Sequence, residues 1–274
     1  MVKKASLAAK GRECQDAGEL QIGIKNKGVS ALNFIISNSY AEMSVKAAHF
    51  VAAALKAKPD IVLGLPTGST PIGMYQELVR MHKEEGLDFS QVSTFNLDEY
   101  RGLKGDHNQS YRYFMETNLF RHVNIKPENI NFLSGVAKDP VAECKRYEEA
   151  IIKAGGIDLM ILGIGINGHI GFNEPASKLE ANSHIVKLTE STIKANARFF
   201  EHLEDVPREA ITMGVGSILR SRNIILLASG TNKKEAVYGS MSGLVTTEIP
   251  GSLLQLHNEV TFFLDTEAAA KIKE

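Results

Sequence analysis

Cysteine is scarce in this chain of 274 residues, and neither sign of charge is in excess. The two cysteines, Cys14 and Cys144, are too few for a disulfide framework or a four-thiolate zinc site, so we expect reduced thiols in a cytoplasmic protein. Lys and Arg number 31 and Asp and Glu number 32, which gives a formal net charge of -1. Nucleic-acid binding needs a clustered positive excess, so the composition predicts no nucleic-acid partner.

Long hydrophobic runs and metal-ligand spacings are also missing. Every apolar run ends well before the roughly 18–20 residues that a membrane helix needs. The basic start at residues 1–13 has too short an apolar stretch for a secretory signal. The eight histidines form neither an H-x-x-x-H pair nor a cluster with cysteine. We therefore expect no membrane partner, no metal and no cofactor.

What the sequence does contain is a regular alternation of short apolar runs, typical of buried strands, with amphipathic segments typical of helices. The predicted strands span residues 32–37, 61–65, 92–97, 130–133, 157–162, 223–228 and 259–264. The predicted helices span residues 39–58, 71–85, 110–119, 140–154 and 231–241, the second with Thr70 as its N-cap and Pro71 at its first position. This order predicts an α/β fold, a single Rossmann-like, doubly wound domain with a mostly parallel sheet and helices on both faces. Residues 1–30 lack the pattern and are expected to form an N-terminal extension, partly ordered at best, before a catalytic domain at 31–274.

The loop after the second predicted strand is rich in hydroxyl groups. Thr67, Gly68, Ser69 and Thr70 lead directly into a helix, whose first N–H groups and positive dipole end attract anions. Gly68 lets a ligand approach the backbone closely. No lysine completes a Walker A motif. The loop predicts a phosphate site, and the alternative is a tight strand-to-helix turn.

The loop after the third predicted strand carries two acids, Asp98 and Glu99. A carboxylate at a strand end can point into the ligand crevice of a parallel sheet and act as a general base. Neighbouring side chains on an extended segment point in opposite directions, so we do not expect the two acids to share one role. The alternative is a solvated acidic loop.

A glycine-rich segment at 163–175 follows the strand predicted at 157–162. Its glycines spell G-x-G-x-x-G, but Pro175 and further glycine argue against the helix that dinucleotide binding requires, so we discount NAD. His169 can move protons near neutral pH, and Glu174 and Asn167 are candidates to orient it. The alternative is a structural histidine in a turn. Two cations elsewhere, Arg198 and Lys233, could complete a phosphate clamp.

Taken together, an anion loop, a carboxylate and a His–carboxylate pair at one edge of the sheet indicate proton transfer on a phosphorylated small molecule. In these residues the chain resembles the glucosamine-6-phosphate deaminase family, also called glucosamine-6-phosphate isomerase. The matching blocks are LGLPTGSTPIGMY at 63–75, TFNLDEY at 94–100, LGIGINGHIGFNEPAS at 162–177, NARFF at 196–200, ITMGVGSIL at 211–219 and LQLH at 254–257.

The resemblance implies conversion of glucosamine 6-phosphate and water into fructose 6-phosphate and ammonia. It assigns Asp98 as the base that moves a proton from C2 to C1, and His169 as the group that assists ring opening, supported by Glu174 and Asn167. It places the phosphate on residues 67–70 with Arg198 and Lys233, and the sugar against Gly163 and Gly165. It also implies a mobile lid at about 185–212.

Some features depart from the family pattern, and other related functions stay as alternatives. Asn167 stands where some members carry Asp. Lys178, His184 and Val186 replace the basic and hydroxyl cluster of allosteric members, and the chain starts about thirty residues earlier. We therefore expect no activation by N-acetylglucosamine 6-phosphate. A galactosamine-6-phosphate deaminase, a 6-phosphogluconolactonase-like enzyme and a non-catalytic sugar-phosphate sensor are the alternatives, and a homo-oligomer is possible.

Overall fold

A computed structural model describes residues 32–190, 192, 193, 197, 200 and 202–272. The predicted N-terminal extension at 1–30 lies outside these residues. None of the helices in the described ranges has both the length and the apolar composition that crossing a membrane requires.

Seven parallel strands form the central sheet, in the order β1-β10-β9-β6-β2-β3-β5. These strands are β1 Asn33–Ser37, β2 Val62–Leu65, β3 Ser93–Asn96, β5 Ile130–Asn131, β6 Leu159–Leu162, β9 Asn223–Ala228 and β10 Val260–Asp265. Every residue of β2, β6 and β10 is buried, which is the pattern of parallel strands covered on both faces. The predicted parallel α/β sheet is confirmed, although β5 is two residues shorter than predicted at its end.

The helices cover both faces of this sheet. They are α1 Tyr40–Ala57, α2 Ile72–Glu85, α3 Tyr111–Asn118, α4 Pro140–Lys153, α5 Val215–Leu219 and α6 Lys234–Gly239. Side chains alternate along β9, so that Ile224 and Leu226 pack with the cluster under α4 to α6, and Ile225 and Leu227 pack with the cluster under α1 to α3. This two-sided core confirms the doubly wound arrangement.

Local capping explains where several helices begin. Ser39 accepts a hydrogen bond from the Glu42 N–H and starts α1, and Asp139 caps α4 in the same way, with Pro140 following it. The predicted cap by Thr70 is wrong. Helix α2 begins at Ile72, and Pro71 occupies the cap position with no side-chain hydrogen bond, because the preceding turn runs from the Ser69 carbonyl to the Ile72 N–H.

A second, antiparallel sheet was not predicted from the sequence. Its strands are β4 Asp98–Tyr100, β8 Glu209–Thr212 and β7 His184–Lys187, with Asp98 paired opposite Thr212. These strands have three or four residues and no long apolar run, so the sequence pattern gave no strand signal there. The predicted helix at 231–241 is also divided, into a 3-10 turn at Thr231–Lys233 and then α6.

Candidate active site

Four neighbouring strands of the central sheet, β9, β6, β2 and β3, direct their carboxyl ends to one edge. The loops that follow these strands contain most of the residues singled out in the sequence. Because ligands of open parallel sheets bind outside the carboxyl ends of the strands, this edge is the expected site.

Two tyrosines fix the loop after β2. The Tyr75 hydroxyl donates to the Pro66 carbonyl at 2.6 Å, and the Tyr40 hydroxyl donates to the Ser69 carbonyl at 3.1 Å. Gly68 lies between these anchors with φ of 97°, a left-handed conformation that favours glycine. The anchored turn places Thr67, Ser69 and Thr70 just before α2, where a phosphate site needs hydroxyl and N–H donors.

Asp98 begins β4 and is almost completely buried, with 7% of its surface exposed. Burial, with a smaller contribution from the charge on Glu99, raises the pKa of Asp98 to about 8. Within the described part of the chain, no group donates a hydrogen bond to its carboxylate. An unpaired carboxylate with a pKa near neutrality is suited to accept a proton from a bound substrate.

Glu99 has a different environment, as the sequence predicted for neighbouring side chains of an extended segment. Its carboxylate accepts hydrogen bonds from the backbone N–H groups of Tyr100, Tyr111 and Arg112. Two of these donors lie at the start of α3, so Glu99 joins that helix to β4. Burial raises the pKa of Glu99 despite the three N–H donors that lower it.

His169, Asn167 and Glu174 form a compact triad within the glycine-rich segment. Asn167 Nδ2 donates to Glu174 Oε2 at 2.6 Å, and Asn167 Oδ1 lies 2.8 Å from His169 Nδ1. His169 Nδ1 is also 3.3 Å from Glu174 Oε2. Because a carboxylate only accepts, the amide nitrogen of Asn167 must face it, and its Oδ1 then requires the proton on Nδ1. This leaves Nε2 as the ring nitrogen for proton transfer.

The ionisation of Glu174 fits this arrangement. Burial alone would raise the pKa of Glu174, but the hydrogen bond and charge of His169, with donors Thr192 and Asn167, lower it to about 2. Glu174 is therefore a carboxylate at neutral pH and holds the imidazole through Nδ1.

Glycines bring these groups together. A Cβ on Gly165 would lie 2.3 Å from the His169 ring, so that glycine makes room for the imidazole. Gly171 has φ of 57°, and a Cβ there would lie 3.7 Å from Asp98 Oδ2. The Phe172 N–H donates to Thr212 Oγ1, the residue paired with Asp98. The histidine segment therefore lies directly over the buried Asp98.

Lys233 approaches the same segment from β9, with Nζ donating to the Ile164 carbonyl at 2.7 Å. The turn before it is held by Asp265, an acid at the carboxyl end of β10 that the sequence reasoning missed. Asp265 accepts from the Ser229 hydroxyl and the Gly230 N–H. Its position at a strand end was the only signal that could have identified it. Arg198, predicted as the other cation, lies outside the described residues.

No three His, Cys, Asp or Glu side chains in the described ranges are grouped as a metal site would require. The arrangement combines a buried carboxyl, a fixed imidazole and a hydroxyl-rich turn before a helix, which suits proton transfer on an anionic substrate.

Comparison with known proteins identifies the family to which this chain belongs. A family model described as glucosamine-6-phosphate isomerases/6-phosphogluconolactonase matches residues 37–263. The chain belongs to this glucosamine-6-phosphate isomerase/6-phosphogluconolactonase family. The resemblance inferred from the sequence blocks is thereby confirmed.

Within the glucosamine-6-phosphate isomerase/6-phosphogluconolactonase family, the similarity to deaminases is high. The chain is 56% identical over 243 residues to a glucosamine-6-phosphate deaminase of Thermoanaerobacter sp. (strain X514), an alignment that covers 89% of this chain and 96% of the relative. It is 52% identical over 242 residues to the glucosamine-6-phosphate deaminase of Clostridium perfringens (strain 13 / Type A), covering 88% and 100%.

Among solved structures of the glucosamine-6-phosphate isomerase/6-phosphogluconolactonase family, a deaminase is again more similar to this chain than a lactonase is. A monomeric glucosamine-6-phosphate deaminase superposes with a TM-score of 0.84 at 45% identity, covering 86% of this chain and 98% of that one. A 6-phosphogluconolactonase from Trypanosoma cruzi superposes with a TM-score of 0.70 at 22% identity, covering 88% and 97%. The second similarity shows only a common fold.

Proposed function

We propose that this chain is a glucosamine-6-phosphate deaminase, which converts glucosamine 6-phosphate and water into fructose 6-phosphate and ammonia. The observation that carries the proposal is Asp98, buried beneath the His169 segment with no hydrogen-bond donor among the described residues, in a chain that is 56% identical to a glucosamine-6-phosphate deaminase. A sugar phosphate is the substrate class that both branches of the family name.

In this proposal the phosphate binds first and positions the sugar. Residues Thr67, Gly68, Ser69 and Thr70 supply hydroxyls and N–H groups before α2, and the cations Lys233 and Arg198 complete the clamp. Gly163 is half-buried, and a Cβ added there would meet no atom within 4 Å, which leaves room for a sugar against the backbone. Fixing the phosphate end orients C1 and C2 for reaction.

His169 then assists opening of the pyranose ring. Its Nε2 relays a proton from the C1 hydroxyl to the ring oxygen, and the aldehyde forms as the ring C–O bond breaks. Glu174 and Asn167 hold Nδ1 and keep the ring in the orientation that this transfer needs.

Asp98 carries out the isomerisation. Its carboxylate takes the C2 proton, the electron pair forms the C1–C2 double bond of an enolamine, and the C1 oxygen takes up a proton from the substrate's amino group. The same C2 proton then returns to C1 while the nitrogen lone pair forms the C2–N double bond. The C2 imine that results adds water and releases ammonia, which leaves the ketone of fructose 6-phosphate. A carboxylate whose pKa is about 8 binds and releases this proton near neutral pH.

The test is an assay of ammonium and fructose 6-phosphate from the purified chain with glucosamine 6-phosphate. We expect both products in equal amounts, and at least a thousandfold loss of kcat in Asp98→Asn, on the order expected for removal of an essential base. A folded protein that forms neither product would refute the assignment.

Galactosamine 6-phosphate and 6-phosphogluconolactone, assayed in parallel, test the alternatives. Faster turnover of galactosamine 6-phosphate would reassign the substrate at C4. Lactone hydrolysis without ammonium release would place the chain with the lactonases. Binding of sugar phosphates without turnover of any of them would favour a sensor.

The same proposal treats residues 31–274 as one catalytic domain and places the enzyme in the cytoplasm, where free sugar phosphates are metabolised. The N-terminal extension and a homo-oligomeric state stay predictions.

A further inference from the structure

Glu174 is hydrogen-bonded on both carboxylate oxygens, and one donor comes from a distant part of the chain. Asn167 and His169 contact Oε2, whereas the Thr192 hydroxyl donates to Oε1 at 2.5 Å. Thr192 lies after β7, eighteen residues from Glu174, and only 8% of its surface is exposed. We propose that Thr192 is a positioning residue for the reaction, which acts by fixing the Glu174 carboxylate that holds His169. This inference rests on the proposed deaminase function.

The hydroxyl of Thr192 is itself oriented by its neighbours. A carboxylate can only accept, so Thr192 must donate its single hydroxyl proton to Glu174. The Thr189 hydroxyl donates to Thr192 Oγ1 at 3.0 Å, and the Ile193 N–H donates to the Thr189 carbonyl at 2.9 Å. The Thr189 hydroxyl thus donates to Thr192, which donates to the Glu174 carboxylate. Because the two hydrogen bonds run in the same direction, each strengthens the other.

Apolar packing holds this turn against the site. Leu188 and Ile193 belong to a cluster with Tyr100 and Phe172. Tyr100 lies two residues after Asp98, and Phe172 lies between His169 and Glu174 in the sequence. The packed side chains thereby fix the distance between the Thr192 hydroxyl and the Glu174 carboxylate.

Among the described residues, only Thr192 donates to Oε1, so loss of its hydroxyl leaves that oxygen of a buried carboxylate without a donor from them. Such a group is costly, and the carboxylate can regain a donor by rotating about its side-chain torsions. Rotation moves Oε2 away from Nδ1 and turns the imidazole. Because ring opening depends on where Nε2 points, we expect the rate to fall while the phosphate contacts, and therefore KM, stay nearly unchanged.

The experiment compares Thr192→Val, which removes the hydroxyl but keeps the shape, with Thr192→Ser, which keeps the hydroxyl. Thr94→Val is the matched control, because Thr94 is a buried threonine whose hydroxyl has no hydrogen-bond partner among the described residues. We expect kcat to fall about 10- to 100-fold in Thr192→Val with KM within about twofold, to recover in Thr192→Ser, and to be unchanged in Thr94→Val. In a Glu174→Gln background, Thr192→Val should lower kcat much less than it does in the wild type.

A readout independent of turnover separates this inference from the proposed function. The imidazole nitrogen signals of His169, assigned by NMR with a His169→Gln variant, should shift in Thr192→Val and not in Thr94→Val. If the wild-type chain does not deaminate any amino-sugar phosphate, the proposed function fails, and the His169 signals still decide the positioning. Unchanged His169 signals in a folded Thr192→Val protein would overturn the role of Thr192. A Thr192→Ser variant as slow as Thr192→Val would also contradict it.

Discussion

Asp98 shows at the residue scale how the proposed chemistry opposes stability. A buried carboxyl with no hydrogen-bond donor among the described residues is costly to ionise, and its pKa of about 8 expresses that cost. Glu174 is the opposite case, since its donors hold its pKa at about 2. Two carboxyl groups at one site therefore differ in protonation near neutral pH, which matches the different roles, base and support, proposed for them.

The pKa of Asp98 predicts how the rate depends on pH. The base works only when ionised, so we expect kcat/KM to rise as pH increases from about 6 and to level off above about 8. Initial rates at fixed ionic strength across this range provide the measurement. A profile that is flat between pH 6 and 8 would contradict a base with this pKa.

The same carboxyl predicts that stability depends on pH. Its folded-state pKa is raised above the ordinary value of 3.8, so the folded protein keeps a proton that the unfolded chain has lost, and stability falls as pH rises from about 4 to about 8. Asp98→Asn removes this loss and should be more stable than the wild type at pH 8.5, by on the order of 1–3 kcal/mol. Urea unfolding of both proteins at pH 5 and pH 8.5 is the measurement. The gain in stability of Asp98→Asn over the wild type should be larger at pH 8.5.

Gly165 gives a steric prediction at the same scale. An alanine there places a Cβ 2.3 Å from the His169 ring, which must then move. We expect Gly165→Ala to lower kcat about 10-fold or more and the free energy of unfolding by about 1–3 kcal/mol. Gly163→Ala meets no atom within 4 Å and should fold normally, so a rise in its KM alone would indicate sugar contact.

At the scale of elements, the end of β10 controls the turn that carries Lys233. Asp265 accepts from the Ser229 hydroxyl, the Gly230 N–H and the Ala268 N–H, and it is 5% exposed. Gly230 has φ of 92°, so the turn depends on both the glycine and the carboxylate. Strand β10 contributes no residue to the predicted phosphate clamp, but it fixes the turn that positions Lys233.

We accordingly expect Asp265→Asn to raise KM for the sugar phosphate severalfold with little change in kcat, since it loosens a phosphate contact made equally in ground and transition states. In a Lys233→Met background, the same substitution should change KM far less. Steady-state kinetics of the two single variants and the double variant test this coupling. Thr261→Val, on the same strand as Asp265, is the control. Additive effects of the Asp265 and Lys233 substitutions on KM would show that Asp265 acts independently of Lys233.

At the scale of the whole molecule, a formal net charge of -1 is compatible with the proposed local phosphate site. The loop after β2, the start of α2 and Lys233 all lie at the edge of the sheet where the strands have their carboxyl ends, so the proposed site does not require an excess of positive charge over the whole chain. Two of the residues that stand at positions of the allosteric cluster, His184 and Val186, make contacts within the protein. Val186 packs with the cluster around Tyr100 and Phe172, and the His184 ring contacts the Asn182 carbonyl.

The replacement of that cluster supports the expectation that N-acetylglucosamine 6-phosphate does not activate this enzyme. Rates measured across substrate concentrations should follow the same hyperbola with and without the effector, because Lys178, His184 and Val186 offer one cation and an apolar side chain instead of a basic and hydroxyl cluster. A lower half-saturation concentration in its presence would refute this.

The sequence by itself determined the alternation of strands and helices, and with it the parallel sheet, because periodicity and fully apolar runs reflect burial directly. It also indicated the residues of the three site loops. Only the tertiary structure decided the small antiparallel sheet, the approach of Gly171 to Asp98, and the contacts that Thr192 and Asp265 make across 18 and 36 residues. These depend on long-range pairing between short polar segments, whose local sequence carries no periodic signal.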